Sequence, residues 1–323
     1  MDTAGPSQDT IIPERVRLRA EQSGPQARQW LKNLPLLISE LERDWQLSIG
    51  KPLSGGSMAY VAPVQTADGT HAVIKLNMPS EKGSGNFKDE IDTIARANGH
   101  GYVQVLKFDY KRRALLLEQL GLSMQDVKLG PEQAIKLLCG TLKQAWLVLP
   151  GENQKIDSSE YRAHTLAQLI TNLWNKLERP CSEEIISQAL EFAHRRMDAF
   201  DPAKCVFVHG DPHPANALQV MIPRAGAESG YVFVDPDGFL CEPEYDLGVV
   251  LRDWNEELLA AADPAALARK YCRLLAKESG LNENTIWEWS FIERVSTGLY
   301  ISAYGTRELG KPFFDTAQRL LNS

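Results

Sequence analysis

The sequence predicts an α+β protein of two lobes, in which an N-terminal lobe of antiparallel strands with one helix precedes a larger, mainly helical lobe. Residues 46–120 contain about five β-rich segments and one helical segment, and long helical segments follow from Pro131. The length of 323 residues also exceeds the usual size of a single core. We therefore expect a flexible N-terminal tail over residues 1–25, a first lobe over 26–120 and a second lobe over 121–323.

The first lobe is predicted to open with a helix, because apolar residues recur at nearly helical spacing from Trp30 to Leu41. The next two segments, SMAYVAPVQ and HAVIKLN, flank an Asp-Gly turn and therefore predict a β-hairpin. SGNFKDEIDTIARAN then predicts a helix, since its apolar residues fall on one face. Two more strands, YVQVLKFDY and RALLLEQL, complete the lobe.

The second lobe is predicted to be helical on both sides of a short strand-rich insert. Its clearest early helices are PEQAIKLLCGTLKQAWLVL, YRAHTLAQLITNLWNKLE and SEEIISQALEFAHRRMDAF. Val206–Val208 and Ala217–Val220 predict short strands, and YVFVDPDGF predicts a strand that runs into a tight turn. Helical patterning returns over residues 244–321.

The composition excludes several classes of protein. The five cysteines are scattered and include no CxxC pair, so neither a zinc site nor a redox centre is indicated. No apolar run approaches the roughly 18 residues that span a bilayer, and the polar N-terminus lacks the apolar core of a signal peptide. We therefore expect a cytoplasmic protein that has no membrane partner.

The net charge of −7 is spread unevenly along the chain. Residues 1–120 carry 15 Lys and Arg against 14 Asp and Glu, or +1, and the remainder carries 20 against 28, or −8. An acidic lobe argues against a nucleic-acid partner, whose phosphates require a basic face. It permits a cationic small-molecule ligand, although an acidic surface that serves only solubility explains the imbalance equally well.

The densest group of polar residues lies in FVHGDPHPANALQV, between two predicted strands. Asp211 and Asn216 are five residues apart, and Asp235 ends the next long strand, with Asp237 two residues later. Phosphoryl transfer needs such a set, in which one carboxylate accepts the hydroxyl proton while an amide oxygen and a second carboxylate bind Mg²⁺. The loop is therefore a candidate phosphoryl-transfer loop.

Two other interpretations of this loop stay open. His209, His213, Asp211 and Asp235 would form the metal cluster of a hydrolase, although the sequence has no HxH or HExxH motif that could complete a dinuclear centre. The other interpretation is a polar turn whose side chains only satisfy backbone amides.

Two upstream segments are placed to hold a nucleotide. Gly55, Gly56 and Ser57 lie between two strand segments, where backbone N–H groups can approach phosphates without interference from a Cβ. The strand ALLLEQL ends at Glu118 and the chain leaves through Gly121. The backbone of Glu118, Gln119 and Leu120 is therefore a candidate hinge that reads the adenine edge.

Lys75 stands inside an apolar strand, where its charge is costly to bury without a partner. Glu90, on the following predicted helix, is the candidate partner, and Glu81 and Asp89 compete for that position. If the strand lies at a sheet edge, the lysine could instead extend its ammonium group into solvent. The pair therefore depends on where the strand lies in the sheet.

The ordered set GGS, AVIK, a helix glutamate, LLLEQL, VHGDPHPAN and VFVDPDGFLCEPEYDLG resembles the aminoglycoside phosphotransferase family, within the protein-kinase-like small-molecule kinases. The resemblance extends from about Ser48 to at least Asp253. The VxPV segment, the early Leu-Pro helix and DPDG are similar to the streptomycin and hydroxyurea kinase branch and to the viomycin and capreomycin kinases. It implies a bilobal protein-kinase-like fold.

The resemblance also implies roles for individual residues. Asp211 would be the catalytic base, Asn216 and Asp235 would bind Mg²⁺, and Lys75, paired with Glu90, would contact the α- and β-phosphates. These roles together imply transfer of the γ-phosphate of ATP to a hydroxyl group.

Structural support of the site is implied for three other residues. His209 would brace the loop, Asp246 would cap it from the following helix, and Asp237 would form an Asx turn before Gly238, with metal contact as the second interpretation. Pro212 departs from the family pattern, which has an apolar residue after the aspartate. Because proline removes a backbone donor, the loop is expected to differ from its relatives at this point.

We therefore expect an ATP-dependent kinase that phosphorylates a cationic antibiotic, either an aminoglycoside such as streptomycin or a peptide antibiotic, and so confers resistance. ATP and Mg²⁺ are the expected cofactors, GTP stays open, and a monomer or weak dimer is expected. The carboxylates that we expect to contact the acceptor are Glu152, Asp157, Glu160, Glu242 and Glu244.

Alternatives to an antibiotic kinase stay open at this point. A metabolic kinase of the choline, homoserine or methylthioribose type would share every nucleotide-binding residue, and a metallohydrolase is the second alternative. A protein kinase is not expected, because EYDLG follows DPDG within about ten residues and leaves no room for an activation segment.

Overall fold

The structure is a computed structural model that describes residues 11–54, 56, 58–79, 87–149 and 159–321, apart from the side chains of residues 159 and 160. These residues form two compact units. The first unit comprises the described residues up to Asn98 together with Val103–Leu120, and the second comprises Gly99–Tyr102 together with those from Gly121 onward.

The first unit is an antiparallel sheet with three helices. Its elements are α1 (Glu14–Gln22), α2 (Pro25–Trp45), β1 (Leu47–Ile49), β2 (Ala59–Thr66), β3 (His71–Asn77), α3 (Phe87–Ala97), β4 (Val105–Asp109) and β5 (Ala114–Glu118). The strands follow one another across the sheet in the order β1-β2-β3-β5-β4. The predicted hairpin is confirmed as β2 and β3, which pair antiparallel from Ala59 and Asn77 to Gln65 and His71.

The core of this unit lies between the sheet and the first two helices. Alternate strand residues such as Ala62, Ile74 and Leu76 are buried in one apolar cluster with Leu34 and Leu41 of α2. The opposite residues of β3 face away from this cluster. This alternation places Lys75 on the face of the sheet that α2 does not cover.

The stretch predicted to be a tail is helical from Glu14 onward. Val16 and Ala20 of α1, four residues apart on one helix face, are buried in the same cluster as α2. The prediction of a tail over residues 14–25 is therefore corrected, because these two apolar side chains gain a packing surface on α2 that the local polarity did not indicate.

The second unit is mainly helical, as predicted. Its elements are β6 (Leu120–Ser123), α4 (Met124–Val127), α5 (Pro131–Ala145), α6 (Ser159–Lys176), α7 (Glu183–Asp198), β7 (Val206–Val208), β8 (Ala217–Val220), β9 (Tyr231–Phe233), β10 (Phe239–Cys241), α8 (Glu244–Arg252), α9 (Asn255–Ala260), α10 (Pro264–Ser279), α11 (Glu283–Tyr304) and α12 (Arg307–Leu320). The strands form a sheet of order β6-β8-β9 and a separate antiparallel pair of β7 and β10.

Helix α11 is the centre of this unit, because it is buried on every side over most of its length, from Thr285 to Leu299. It packs against α8 and α12, and therefore supports the helix that follows the strand-rich insert. Among the described residues, no helix is both long enough and apolar enough to cross a membrane.

Candidate active site

In the first unit, Lys75 and Glu90 form a buried ion pair. Because β3 is flanked by β2 and β5, Lys75 does not lie on an edge strand, and solvent exposure of its ammonium group at a sheet edge is ruled out. The Lys75 Nζ lies 2.5 Å from Glu90 Oε1, and both side chains are about nine-tenths buried. Glu90 occupies the buried face of α3, next to Ile91 and Ile94.

Asn77 completes this cluster, although it was not among the residues predicted from the sequence. Its Nδ2 donates to Glu90 Oε2 at 2.6 Å, so that each carboxylate oxygen of Glu90 has its own donor. Asn77 lies two residues after Lys75 and hence on the same face of β3. That spacing is the signal that could have identified it.

We predict that Glu90→Ala lowers the stability of the protein by about 3 kcal/mol or more, because the change removes the carboxylate from a buried lysine. Thermal and urea unfolding would measure the loss. Glu21→Ala, which breaks the exposed pair between Arg17 and Glu21, is the matched control and should cost less than about 1 kcal/mol. Equal losses in the two variants would contradict the assignment.

In the second unit, the carboxylate of Asp246 binds the backbone at the start of the loop after β7. One oxygen of this buried carboxylate accepts from the N–H of His209 and from Trp146 Nε1, both at 2.9 Å, and the other accepts from the N–H of Gly210 at 2.9 Å. Burial raises the pKa of Asp246 to about 6, although the three hydrogen bonds oppose the rise. The carboxylate thus fixes two consecutive backbone amides.

Gly210 allows the sharp turn that follows. Its φ of +94° is in the left-handed region, and a Cβ at this position would lie 2.7 Å from the Cβ of Asp237. Only glycine therefore lets the loop pass so close to the chain after β9.

His209 braces the loop through both ring nitrogens. Nδ1 accepts from the N–H of Asp211 at 3.1 Å, and Nε2 lies 3.0 Å from the carbonyl oxygen of Val234, to which it donates. Complete burial lowers the pKa of His209 to about 4, so that the ring is neutral near pH 7. Because both nitrogens are occupied by backbone groups, His209 has no lone pair left for a metal ion.

The carboxylate of Asp211 is held at the mouth of the loop by Arg252, the last residue of α8. Arg252 Nη2 donates to Asp211 Oδ1 at 2.6 Å, while the Asp211 side chain keeps 39% of its surface exposed. Burial opposes ionisation of Asp211, but Arg252 and then His213 outweigh it and hold the pKa of the carboxyl well below its usual range. Asp211 is therefore ionised and accessible.

Arg252 is itself held by acidic partners. Its Nη1 donates to Glu293 Oε2 at 3.2 Å and its Nε donates to Asp253 Oδ1 at 3.0 Å. Glu293 also accepts from the hydroxyl of Tyr245 at 2.6 Å. These contacts fix the guanidinium that orients Asp211, and nothing in the local sequence around Arg252 predicted them.

Pro212 and His213 shape the turn beyond the carboxylate. The N–H of His213 donates to the carbonyl oxygen of Asp211 at 2.9 Å, which closes a tight turn around Pro212 that suits the fixed φ of proline. The Nδ1 of His213 accepts from the N–H of Ala215 at 3.2 Å and so caps the short 3₁₀ helix Pro214–Asn216. Pro212 thus stabilises the turn that follows the carboxylate of Asp211.

Asn216 and Asp235 are brought together at the ends of β8 and β9. The N–H of Val234 donates to the carbonyl oxygen of Asn216 at 2.9 Å, which places the two residues across adjoining chain segments. Asn216 Nδ2 donates to the carbonyl oxygen of Asp211 at 3.1 Å, an orientation that leaves the amide oxygen as the atom suited to a cation. Asp235 has a φ of +57°, in the left-handed region that aspartate tolerates better than most residues.

The donor set fits Mg²⁺, which prefers amide and carboxylate oxygens. Among the residues that the structure describes, no group of three or more His, Cys, Asp and Glu side chains is arranged to hold a metal ion. The hydrolase cluster of His209, His213, Asp211 and Asp235 is therefore not formed, because His209 is bound to the backbone and Asp211 to Arg252.

The turn at Asp237 is stabilised by main-chain groups. The N–H groups of Asp237 and Gly238 donate to the carbonyl oxygen of His209 at 2.9 and 3.3 Å, and the Asp237 side chain is exposed. The Asx turn expected at this point is therefore replaced by two main-chain hydrogen bonds to the neighbouring loop.

Several other residues were predicted to contact the nucleotide, Lys75 or the acceptor. Gly56 is exposed, whereas Gly55, Ser57, Glu81, Glu152 and Asp157 lie outside the described residues, as does the side chain of Glu160. Glu118 donates its N–H to the carbonyl oxygen of Gln104, so any amide that reads the adenine edge has to come from Gln119 or Leu120. Glu244 lies in the first turn of α8 and stays a predicted acceptor contact.

Glu242 does not suit its predicted role as an acceptor contact. Its side chain is buried and accepts from Trp289 Nε1 at 2.6 Å, and its Oε1 lies 3.6 Å from Arg196 Nη1. The prediction is therefore corrected, because the carboxylate stabilises the packing of α7 on α11 instead of facing a ligand.

Comparison with known proteins finds similarity to kinases that act on antibiotics and hydroxyurea. A family model described as aminoglycoside/hydroxyurea antibiotic resistance kinase matches residues 44–305. The chain is 24% identical to the streptomycin 6-kinase of Streptomyces glaucescens over 313 residues, which cover 96% of each chain. It is 27% identical to the hydroxyurea phosphotransferase of Kitasatospora aureofaciens over 251 residues, which cover 73% of this chain and 66% of the relative.

Among solved structures, the chain is similar to the aminoglycoside phosphotransferase APH(3'')-Id from Streptomyces rimosus in complex with ADP and streptomycin. The TM-score is 0.53 at 14% identity, and the match covers 82% of this chain and 98% of the other. At this identity the similarity shows the fold, and that fold is the bilobal one predicted from the sequence.

Proposed function

Because the chain belongs to the aminoglycoside/hydroxyurea antibiotic resistance kinase family, we propose that it transfers the γ-phosphate of ATP to a hydroxyl group of an aminocyclitol antibiotic of the streptomycin kind. The observation that carries the proposal is the Asp211 carboxylate, ionised and accessible at the end of β7 and oriented by Arg252. A non-catalytic member of the fold would have no need to keep this carboxylate together with Lys75, Asn216 and Asp235.

In the proposed reaction, a bond forms between the acceptor oxygen and the γ-phosphorus while the bond from that phosphorus to the leaving ADP oxygen breaks. The proton of the acceptor hydroxyl passes to Asp211. Arg252 occupies Oδ1 at 2.6 Å, whereas His213 Nε2 approaches Oδ2 only to 3.4 Å. We therefore assign Oδ2 as the atom that binds the hydroxyl and receives its proton.

The strongly lowered pKa of Asp211 suits this reaction. A weak base cannot remove the hydroxyl proton before the transfer begins, but phosphoryl transfer passes through a loose transition state in which little proton removal is needed early. Asp211 would therefore act mainly by orienting the hydroxyl in line with the γ-phosphorus, and it would take the proton late.

Asn216 and Asp235 are the residues that would hold Mg²⁺, which neutralises charge on the β- and γ-phosphates when it is bound. Lys75, kept in place by Glu90 and Asn77, would contact the α- and β-phosphates. The backbone of Gly55, Gly56 and Ser57 would approach the same phosphates, and Gln119 and Leu120 would read the adenine edge.

A cationic acceptor is supported by the charge of the second half of the chain, which carries 28 Asp and Glu against 20 Lys and Arg from residue 121 onward. Field focusing by such a lobe raises the local concentration of cations. Glu244 is the described carboxylate that we propose for contact with an amino or guanidino group.

The experiment is to measure ADP formation with purified protein, ATP and Mg²⁺ in the presence of single acceptors. The panel comprises streptomycin, a second aminoglycoside, a tuberactinomycin peptide, hydroxyurea, choline and methylthioribose, and phosphorus NMR identifies any phosphorylated product. We expect streptomycin to give the largest kcat/KM. Turnover with choline or methylthioribose alone would support a metabolic kinase, and no turnover above the water background would refute the proposal.

A further inference from the structure

The segment Gly99–Tyr102, which we call the strap, leaves the first unit after α3 and lies within the second unit. The chain then returns to the first unit at Val103. None of the roles proposed above uses this segment, yet its last residue is completely buried.

Backbone hydrogen bonds fix the strap on both sides. The N–H of Gly101 donates to the carbonyl oxygen of Gly226 at 2.7 Å, and the carbonyl oxygen of Gly101 accepts from the N–H of Phe233 at 2.8 Å. Arg224, in the loop between β8 and β9, donates to the carbonyl oxygens of Gly99 and Tyr102. A four-residue segment with this many partners has little freedom to move.

The strap is also enclosed by α5. Gly101 has a φ of +69°, and a Cβ at this position would lie 2.7 Å from the Cα of Ala145 in that helix. The close approach of the two backbones therefore requires glycine at position 101. This approach fixes the position of the next residue, Tyr102, inside the second unit.

The ring of Tyr102 stacks on the ring of His209. The ring centroids are 5.8 Å apart and the planes differ by 6°, while the ring of Phe233 packs against both. The hydroxyl of Tyr102 is buried and has no hydrogen-bond partner among the residues that the structure describes. The ring, not the hydroxyl, is thus the part of this side chain that contacts the loop.

We propose that Tyr102 is a positioning residue for phosphoryl transfer, because its ring holds the imidazole of His209 and thereby the backbone amide of Asp211. This inference rests on the proposed function. His209 bonds Asp211 through Nδ1 and Val234 through Nε2, and rotation of its ring would break both bonds. A parallel aromatic ring on one face and Phe233 on another block that rotation.

The test compares Tyr102→Leu with Tyr102→Phe. Tyr102→Leu removes the ring, and we expect kcat to fall by about 10-fold to 100-fold, while KM for ATP and for the acceptor changes less than about twofold. Tyr102→Phe keeps the ring and should retain kcat within about twofold, since the hydroxyl makes no hydrogen bond that could be lost. Arg224→Lys weakens the hydrogen bonds between Arg224 and the carbonyl oxygens of the strap, and it should lower kcat several-fold. This variant still tests the inference if Tyr102→Leu does not fold.

Phe291→Leu is the matched control, because Phe291 is a buried aromatic residue of the same unit whose ring packs on Phe192 and not on Tyr102 or His209. Hydrogen–deuterium exchange of the peptide that contains Asp211 adds a readout that does not require turnover. We expect faster exchange of that peptide in Tyr102→Leu and Arg224→Lys, and no change in Phe291→Leu.

The outcomes separate this inference from the proposed function. Inactivity of the unmodified protein with every acceptor would refute the proposed function, and faster exchange in Tyr102→Leu would still show that the strap orders the loop. An active protein in which Tyr102→Leu loses only stability, as Phe291→Leu does, and keeps kcat and protection of the Asp211 amide would overturn the inference.

Discussion

Asp211→Asn should lower kcat for the acceptor by about 10²–10⁴-fold, because the amide cannot take the hydroxyl proton and binds the hydroxyl less strongly. Asparagine keeps the size of the side chain and an oxygen for Arg252, so the loop should stay folded. The KM for ATP should change little, since the residues proposed to bind nucleotide are intact. Initial rates of ADP formation at saturating acceptor measure the effect.

Asp198→Asn is the control for this change, because Asp198 is an exposed aspartate at the end of α7 in the same unit. It should leave kcat unchanged. If Asp211→Asn retained kcat within about threefold, as the control does, Asp211 would not be the base, and the mechanism proposed for this protein would be wrong.

Arg252→Met should have the second large effect, on stability as well as on rate. The change leaves the buried carboxylate of Glu293 without one of its cationic partners and removes the group that orients Asp211. Breaking a buried ion pair typically costs about 3–5 kcal/mol. Lys270→Met, which removes an exposed lysine paired with the exposed Glu132, should cost less than about 1 kcal/mol in the same unfolding measurements.

The pH dependence of the Arg252→Met variant follows from the pKa of Asp211. Arg252 lowers that pKa, so its removal raises it, and a larger fraction of the base is protonated at acidic pH. The acidic limb of the kcat/KM profile should therefore move to higher pH. Arg252→Lys keeps the positive charge but cannot donate to Asp211, Glu293 and Asp253 at the same time. The acidic limb of its kcat/KM profile should therefore move less than that of Arg252→Met.

The stabilisation of the fold by the Asp211–Arg252 pair should also depend on pH. Because the pKa of Asp211 is lowered in the folded protein, its pair with Arg252 stabilises the fold above the unfolded pKa of about 4 and loses this effect as the pH falls further. The stability difference between the unmodified protein and Arg252→Met should thus be full near pH 7 and shrink under acidic conditions. A difference that stays constant between pH 7 and pH 3 would show that the ion pair is not its cause.

The sequence alone determined the order of most elements and predicted a phosphoryl-transfer loop. The position of Lys75 inside an apolar strand indicated that its charge would need a partner, and the following helix offered Glu90, with Glu81 and Asp89 as competitors. HGDPHPAN between two strands indicated a phosphoryl-transfer loop. These features are local, because strand and helix periods and turn residues act over fewer than about ten positions.

Only the tertiary structure decided which distant groups meet. Arg252 reaches Asp211 from the far end of α8, and Tyr102 reaches His209 through the strap. Glu242, predicted to contact a ligand, is instead buried and accepts a hydrogen bond from Trp289. Such pairings depend on how helices and strands pack in three dimensions. The type of a residue and its neighbours in the sequence do not determine which distant side chain will lie within 3 Å of a carboxylate or within 6 Å of an aromatic ring.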